Sequence, residues 1–432
     1  MSRGLGVAEG SALYIAAVLG TGILVLPSVA IAKAGPGALL ALVALLVLSV
    51  PLASAFAALG SRHPDSGGVG TYVRRAFGAG ASTVTSWWFY LGVPIGVPAL
   101  VLFGAGYLET VVGGGRDGTF VIAGVLLAVC VAANVFGVKF SGRVQLGLTA
   151  LLVLGLFSAV IFSQSPSGAV QFEQFLPFGW SAVVPAALVL VWSLTGWEAV
   201  THLAGEFRNP ARDIRRATAV ALVVISCLFV LVTVTMLVVL GTSVASTNAP
   251  IAALVEGRLG RGAVIGTAAL AVIITLGGTN AYLASLSKLG AAMGRDGSGP
   301  KWLAHGASAG SVARRSLAVM TAYSAALLAV AWFAGWNATD LVLVCTASQI
   351  AVYVIGLVAA LRLLPARGFG WWCALLSLIV MSALLVLTGW NLLAPTLTAV
   401  AALGYHRLRQ RRESTFAGSL AVDADRPTGV GR

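Results

Sequence analysis

Long blocks of apolar residues alternate with short polar or glycine- and proline-containing joints along this chain. A helix needs about 20 apolar residues to cross the hydrocarbon of a bilayer. Read on that basis, the pattern predicts twelve spans, near 11–33, 37–59, 81–111, 119–138, 142–163, 180–203, 214–240, 262–291, 315–334, 340–364, 371–388 and 390–405. Only Gly389-Trp390 separates the last two. The expected fold is therefore an all-α polytopic membrane protein with twelve transmembrane helices.

Two spans are interrupted in the same way. The first reads Leu19-Gly20-Thr21-Gly22-Ile23-Leu24 and the sixth reads Trp192-Ser193-Leu194-Thr195-Gly196-Trp197-Glu198. Unwound backbone in a bilayer costs several kcal/mol per unpaired group unless it lines a cavity or is covered by protein. Paired breaks in corresponding halves of a chain point to the midplane substrate site of a secondary transporter. Because the broken spans each open a group of five, the chain divides into a first five-helix repeat over 11–163, a second over 180–364, and two additional helices over 371–405. The two repeats are expected to be inverted, an expectation that rests on where the breaks fall. The polar segment 413–432 is expected to be a disordered cytoplasmic tail.

Composition agrees with this class and excludes others. Of 432 residues 58% are apolar and 9% charged, and the mean hydropathy is +0.95, values no soluble globular domain shows. The net charge of +13 raises the question of nucleic acid, but its distribution answers it. With the N-terminus inside, the outer loops hold only Lys33, Arg116, Arg258 and Arg261. Of 27 Lys and Arg, that leaves 23 on the inner side. This is the positive-inside rule. It predicts a multi-pass protein of the cell (inner or plasma) membrane with both termini cytoplasmic, in contact with the lipid bilayer and with no nucleic-acid partner. Ala30-Ile31-Ala32 resembles a signal-peptide cleavage site, but the apolar run before it is too long and is broken by Gly20 and Gly22. Cys130, Cys227, Cys345 and Cys373 all fall in spans without metal-ligand spacing, so no metal is expected.

The chemistry of the breaks follows from helix ends. The half-helix after Gly20, Thr21 and Gly22 would aim free amides and a positive dipole end at the cavity, which suits a carboxylate. The half-helix that ends at Trp192, Ser193, Leu194, Thr195 and Gly196 would offer carbonyls, which suit an ammonium. An anion site facing a cation site describes the shared part of an α-amino acid. The competing reading of the glycine pair is small-residue helix packing. Pro27, one turn on, and the partner break in span six favour binding. Trp192 either covers a bound substrate or fills apolar space.

Glu198 is the one carboxylate deep in a span; Glu109 and Asp340 sit at outer ends. An ionisable group at bilayer depth costs about 2.5–3.5 kcal/mol even on the lenient scale and is functional by default. His202 at i+4 and Glu206 at i+8 continue a stripe on one helical face. The reading is a proton-coupling pair, Glu198 and His202, with the proton as coupling ion and no other cofactor; the alternative is a static buried hydrogen-bonded pair. Sodium is the other candidate ion, through hydroxyls of Thr279, Ser285 and Ser287. Gly306-Ala307-Ser308-Ala309-Gly310 matches a hydrolase nucleophile pattern but lacks the strand–turn–helix context it needs.

At these residues the chain resembles the amino acid–polyamine–organocation (APC) superfamily of transporters. Gly20-Thr21-Gly22 resembles that family's glycine-rich break, and Trp192 through Glu206, Asn209-Pro210 and Arg212-Asp213 resemble its second signature. Arg62-His63-Pro64-Asp65-Ser66-Gly67-Gly68-Val69 is similar to its inner loop. Asn134, Gly137, Val138-Lys139 and Arg143-Val144-Gln145 are similar to the start of its fifth helix. His202-Leu203-Ala204-Gly205-Glu206-Phe207-Arg208-Asn209-Pro210 is the most specific match to bacterial exporters of methionine and branched-chain amino acids. The resemblance implies a 5+5 inverted-repeat (LeuT-like) core plus two helices, an aromatic gate at Trp192 and a proton-sensing glutamate at Glu198. It departs at Leu152, where some members carry a coupling lysine.

Together these readings predict a secondary active transporter of neutral apolar amino acids, namely methionine, leucine, isoleucine and valine. Alternating access and proton antiport are expected, with export resting on the resemblance. A proton-coupled importer or exchanger is the alternative. A membrane-embedded enzyme or receptor subunit is the alternative of another class, but an enzyme should show ionisable groups clustered near one membrane face, and this chain does not. The charge asymmetry predicts that a reporter fused after Arg412 reads as cytoplasmic and one inserted near Ser165 as external; accessibility labelling in intact cells checks both.

Overall fold

The computed structural model describes residues 6–64, 68–137, 142–163, 175–198, 204, 207–305 and 312–424, and every regular element among them is helical. Of the segments singled out above, Asp65-Ser66-Gly67, Val138-Lys139, His202, Glu206, Gly306 to Gly310 and 425–432 lie outside the described residues.

The first span is two helices, α1 (Val7–Leu19) and α2 (Gly22–Ala34), bent by 41° at the expected glycines. Then come α3 (Gly37–Arg62) and the short α4 (Gly68–Phe77), which buries Val69, Tyr72 and Val73 and exposes Arg74 and Arg75. The third span starts as α5 (Ala79–Trp87), widens to a π turn at Trp88–Gly92, tightens to a 3-10 turn at Val93–Ile95, and continues as α6 (Gly96–Val112). Pro94 and Pro98 bring no N–H to the ladder, so a regular α-helix cannot run straight through.

The chain goes on through α7 (Gly115–Val135), α8 (Gly142–Ile161), α9 (Val183–Ser193), α10 (Pro210–Leu240), α11 (Pro250–Leu259), α12 (Arg261–Asp296), α13 (Arg314–Phe333), α14 (Ala338–Leu363), α15 (Phe369–Leu387) and α16 (Leu393–Ala424). Among the described residues eight helices are long and apolar enough to cross a membrane, and the α1–α2 pair makes a ninth. Leu146–Ile161 and Trp180–Ser193, in the fifth and sixth expected spans, are shorter apolar helices. One boundary differs clearly. α16 runs to Ala424 rather than stopping at 405, so the backbone of 413–424, assigned above to a disordered tail, is helical. Arg407-Leu408-Arg409-Gln410-Arg411-Arg412-Glu413 consists of good helix formers, and they carry the helix out of the apolar run.

Helices of the two groups pack on one another, α2 against α9, α3 against α10, α6 against α12 and, less extensively, α7 against α13, beside equally close packing of α1 on α10, α6 on α7 and α14 on α15. Small residues permit it. A Cβ on Gly104 of α6 would collide with the Thr275 side chain of α12, so that side chain packs directly on the α6 backbone. Asn134 Nδ2 of α7 donates to Asn280 Oδ1 of α12 at 2.7 Å. Tyr107 of α6 donates to the Leu24 carbonyl of α2 (2.8 Å) and accepts from the Ile251 amide of α11 (3.1 Å), tying three elements at one hydroxyl. The outward faces of α7 (Val121, Val125, Val129) and α16 (Leu397, Val400) keep apolar stripes exposed, as lipid contact requires.

Gly104→Val is expected to destabilise the fold by about 1–3 kcal/mol through overpacking. Gly124→Ala, whose Cβ would meet nothing within 4 Å, is expected to stay within about 0.5 kcal/mol of the parent. Thermal unfolding in detergent compares the two.

Candidate functional site

The two breaks lie side by side because α2 packs along α9. At the first, Gly20 adopts φ +42°, ψ −151°, a conformation only glycine takes readily. A Cβ there would meet no atom within 4 Å, so this stretch of backbone borders open space. Gly22 is the opposite case: its Cβ would sit 3.0 Å from Ser193 Oγ and 3.2 Å from the Trp192 ring. One glycine turns the chain and the other lets α9 close against it. α2 starts at Gly22, so its first amides have no acceptor within the helix and form its positive end. Thr21 is buried, and neither its Oγ1 nor Ser193 Oγ has a hydrogen-bond partner among the described residues. Buried hydroxyls are normally satisfied; these two flank the junction of the breaks.

At the second break α9 ends and the chain folds back on itself. The Leu194 amide donates to Val191 and Leu190 carbonyls, and the Thr195 amide (3.3 Å) and hydroxyl (2.7 Å) both reach the Trp192 carbonyl. Trp192 was expected to offer a free carbonyl; Thr195 occupies it. None of the described residues donates to the carbonyls of Ser193 and Leu194. The Leu194 side chain points the other way, to Leu48, Ser49 and Leu52 of α3. Gly196 has φ +117°, and its Cβ would lie 3.0 Å from the Ala17 carbonyl oxygen of α1. Backbone therefore touches backbone one turn before the first break, and any side chain would part the two.

α14 braces this second break through two side chains one turn apart. Gln349 Oε1 accepts from Thr195 Oγ1 at 3.0 Å and neighbours Tyr282 of α12. Tyr353 accepts the Gly196 N–H at 2.7 Å and donates to Glu198 Oε2, and the same N–H reaches that oxygen at 3.1 Å. Glu198 is thus bonded both to the unwound backbone and to a neighbouring helix. Trp197 is fully buried against Tyr14 of α1, whose hydroxyl accepts from Thr218 of α10 at 2.9 Å. Trp192 is half-buried beside Gly22 and Gly96, edge-on to Phe103 at 6.1 Å. Phe103 also lines a cavity of about 500 Å³ shared with Val25, Ser28, Asn248 and Asn337, on the side of the molecule that carries Glu109 and Arg116.

The breaks bring Gly20, Thr21, Gly22, Trp192, Ser193, Thr195, Gly196 and Glu198 together. His202 and Glu206 lie outside the described residues. The other carboxylates have local work: Glu109 accepts from the Gly115 amide, and Asp340 caps α14 with Asn337. Of the sodium candidates, Ser287 donates to the Ala284 carbonyl, Ser285 lines a basic cavity with Arg74 and Lys288, and Thr279 is a buried hydroxyl without a partner among the described residues. Sequence reasoning missed Gln349, Tyr353 and Tyr282. Gln349 carried a signal, as the one side-chain amide in its span; the tyrosines did not.

The sequence profile of the amino acid permease family matches residues 5–402. The chain is 31% identical over 412 residues to the amino acid permease YecA of Bacillus subtilis (strain 168), covering 95% of this chain and 96% of that one. It is 31% identical over 222 residues to the L-methionine/branched-chain amino acid exporter YjeH of Escherichia coli (strain K12), covering 51% and 53%. It is 26% identical over 324 residues to the branched-chain amino acid permease BcaP of Bacillus subtilis (strain 168), covering 69% and 68%.

Tyr353→Phe removes the hydroxyl on which Gly196 and Glu198 converge. Its expected cost is about 1–3 kcal/mol, that of leaving buried polar groups unsatisfied, read as a lowered unfolding temperature of the purified protein.

Proposed function

The chain belongs to the amino acid permease family, and we propose that it carries neutral apolar amino acids (methionine, leucine, isoleucine and valine) out of the cell in exchange for protons. Family membership makes it a multi-pass membrane transporter of amino acids and not an enzyme. The observation that carries the finer reading is the apposition of the two breaks, with Gly22 against Ser193 and Gly196 against Ala17. In this reading the substrate carboxylate takes the positive end of α2 and the Thr21 hydroxyl. Its ammonium takes the carbonyls of Ser193 and Leu194. Its side chain lies toward Trp192 and Phe103, where a charged group would lose its hydration and find no partner. The names of YjeH and BcaP support branched-chain substrates, and that of YjeH supports export.

The proposal includes twelve spans in the cell membrane, both termini cytoplasmic, and an inverted 5+5 division. Two features favour the division. Four of the five helix pairs that stand five spans apart are in contact, and a short helix follows the second span of each group, α4 in one and α11 in the other.

Coupling is assigned to Glu198. As a carboxylate it accepts from Gly196 N–H and Tyr353 O–H together. Once protonated it is a weaker acceptor, and its hold on the unwound backbone and on α14 loosens. Proton uptake would then shift the balance between two arrangements of the second break. His202 is assigned the relay toward the cytoplasm.

The test is flux of radiolabelled methionine or leucine in proteoliposomes under an imposed pH gradient, which also gives direction. Isoleucine and valine should compete and arginine and glutamate should not; strong competition by arginine would overturn the substrate class. Glu198→Gln, a permanent imitation of the neutral form, should keep one-for-one amino acid exchange. Its gradient-driven net flux should fall to that of protein-free liposomes. Full gradient-driven flux in this variant removes the proton role from Glu198.

A further inference from the structure

A second cavity, of about 660 Å³, opens on the inner face of the molecule, away from the breaks. Three separate parts of the chain wall it: the α4–α5 junction, the last turns of α12 and the polar end of α16. Among the described residues four cationic side chains line it, Arg74, Lys288, Arg295 and Arg409, with one carboxylate, Asp296. Asp296 is bonded to Arg295 at 2.9 Å. Lys288 and Arg409 are half-buried rather than splayed into solvent. Hydroxyls of Ser86 and Ser285 share the wall, and that of Ser82, also on it, donates to the Gly70 carbonyl at 3.1 Å.

Positive-inside anchoring accounts for basic residues on this face, but it does not require them to be gathered around a concavity with hydroxyl donors between them. The fold also makes room for the arrangement. Gly297, at φ +81°, ends α12, and the Arg409 guanidinium lies over it in the space a Cβ would take, against the C-terminal end of that helix. Trp87 and Tyr405 lie beside the cavity with ring centroids 5.6 Å apart and planes tilted by 42°, residue types enriched at headgroup level. α16 exposes Leu397 and Val400 on the apolar stretch that leads to it.

We propose that this cavity binds a phosphate-bearing anion, the headgroup of an anionic inner-leaflet phospholipid. A phosphate has the acceptor oxygens to engage several cations and hydroxyls at once, and the neighbouring apolar stripe of α16 can carry the acyl chains. The bound anion bridges α4–α5, α12 and α16. It thereby steadies α12, which also presents Tyr282, three residues before Ser285, to the Gln349 brace. The effect on transport rests on the function proposed above; the binding does not.

The test uses the full chain in nanodiscs of phosphatidylcholine, alone or mixed with phosphatidylglycerol, with native mass spectrometry of retained lipid and thermal unfolding as readouts. The parent should retain phosphatidylglycerol and unfold at higher temperature in its presence. Lys288→Gln and Arg74→Gln should each weaken retention about fivefold, the effect of losing one surface cation. Arg215→Gln, a lost charge on α10 outside this cavity, should retain it like the parent. Equal retention in all variants, or an equal loss in Arg215→Gln, overturns the site. Inorganic phosphate added to pure phosphatidylcholine discs separates the sources. A stabilisation by phosphate that Lys288→Gln abolishes, without phosphatidylglycerol retention, keeps the site and assigns it to soluble phosphate.

Discussion

A backbone amide or carbonyl that leaves its helix inside a bilayer must find another partner or border a polar space, because hydrocarbon offers none. The chain accepts that cost twice, at Gly20-Thr21 and at Leu194 to Gly196, and much of the surrounding structure answers it. Thr195 returns to the Trp192 carbonyl. Tyr353 and Glu198 take the Gly196 amide. Tyr107 secures α2 just beyond the first break. The groups left over face the junction: the Thr21 and Ser193 hydroxyls, the first amides of α2 and the carbonyls of Ser193 and Leu194.

The second break is held from outside its own helix. α14 supplies Gln349 and Tyr353 at a four-residue spacing, so one face of one helix reaches both Thr195 and Gly196. Through Tyr353 the same face reaches Glu198. A carboxyl in this position shares its bonds with unwound backbone, so its charge state and the local backbone geometry cannot vary independently. That is a physical basis for linking a proton to a conformational change, and it needs no separate sensor.

Close approach by glycine recurs where parts must meet or move. Gly104 lets α6 touch α12, Gly196 lets the second break touch α1, and Arg409 lies over Gly297 at the end of α12. α12 links two of these places, lying against α6 along its length and ending in the basic inner cavity. It also contributes Tyr282 to the brace around Gln349, so the inner face and the breaks share one rigid element.

The helical fold class, the apolar runs that form its long helices and the break at Gly20 to Gly22 were legible in the sequence. Each depends on local composition: an apolar run forms a helix wherever it lies, and a Thr-Gly step weakens any helix that contains it. The helical course of 413–424 was misread because polar composition says little about helix propensity. That Thr195 turns back to the Trp192 carbonyl is a local contact three residues apart; tertiary structure alone decided that Gln349, Tyr353 and Tyr282 belong beside the breaks. Those residues are separated from the breaks by most of the second half of the chain, and no local pattern ties a tyrosine in one apolar span to a glycine amide in another. Only the packing of α14 and α12 around the unwound backbone brings them together.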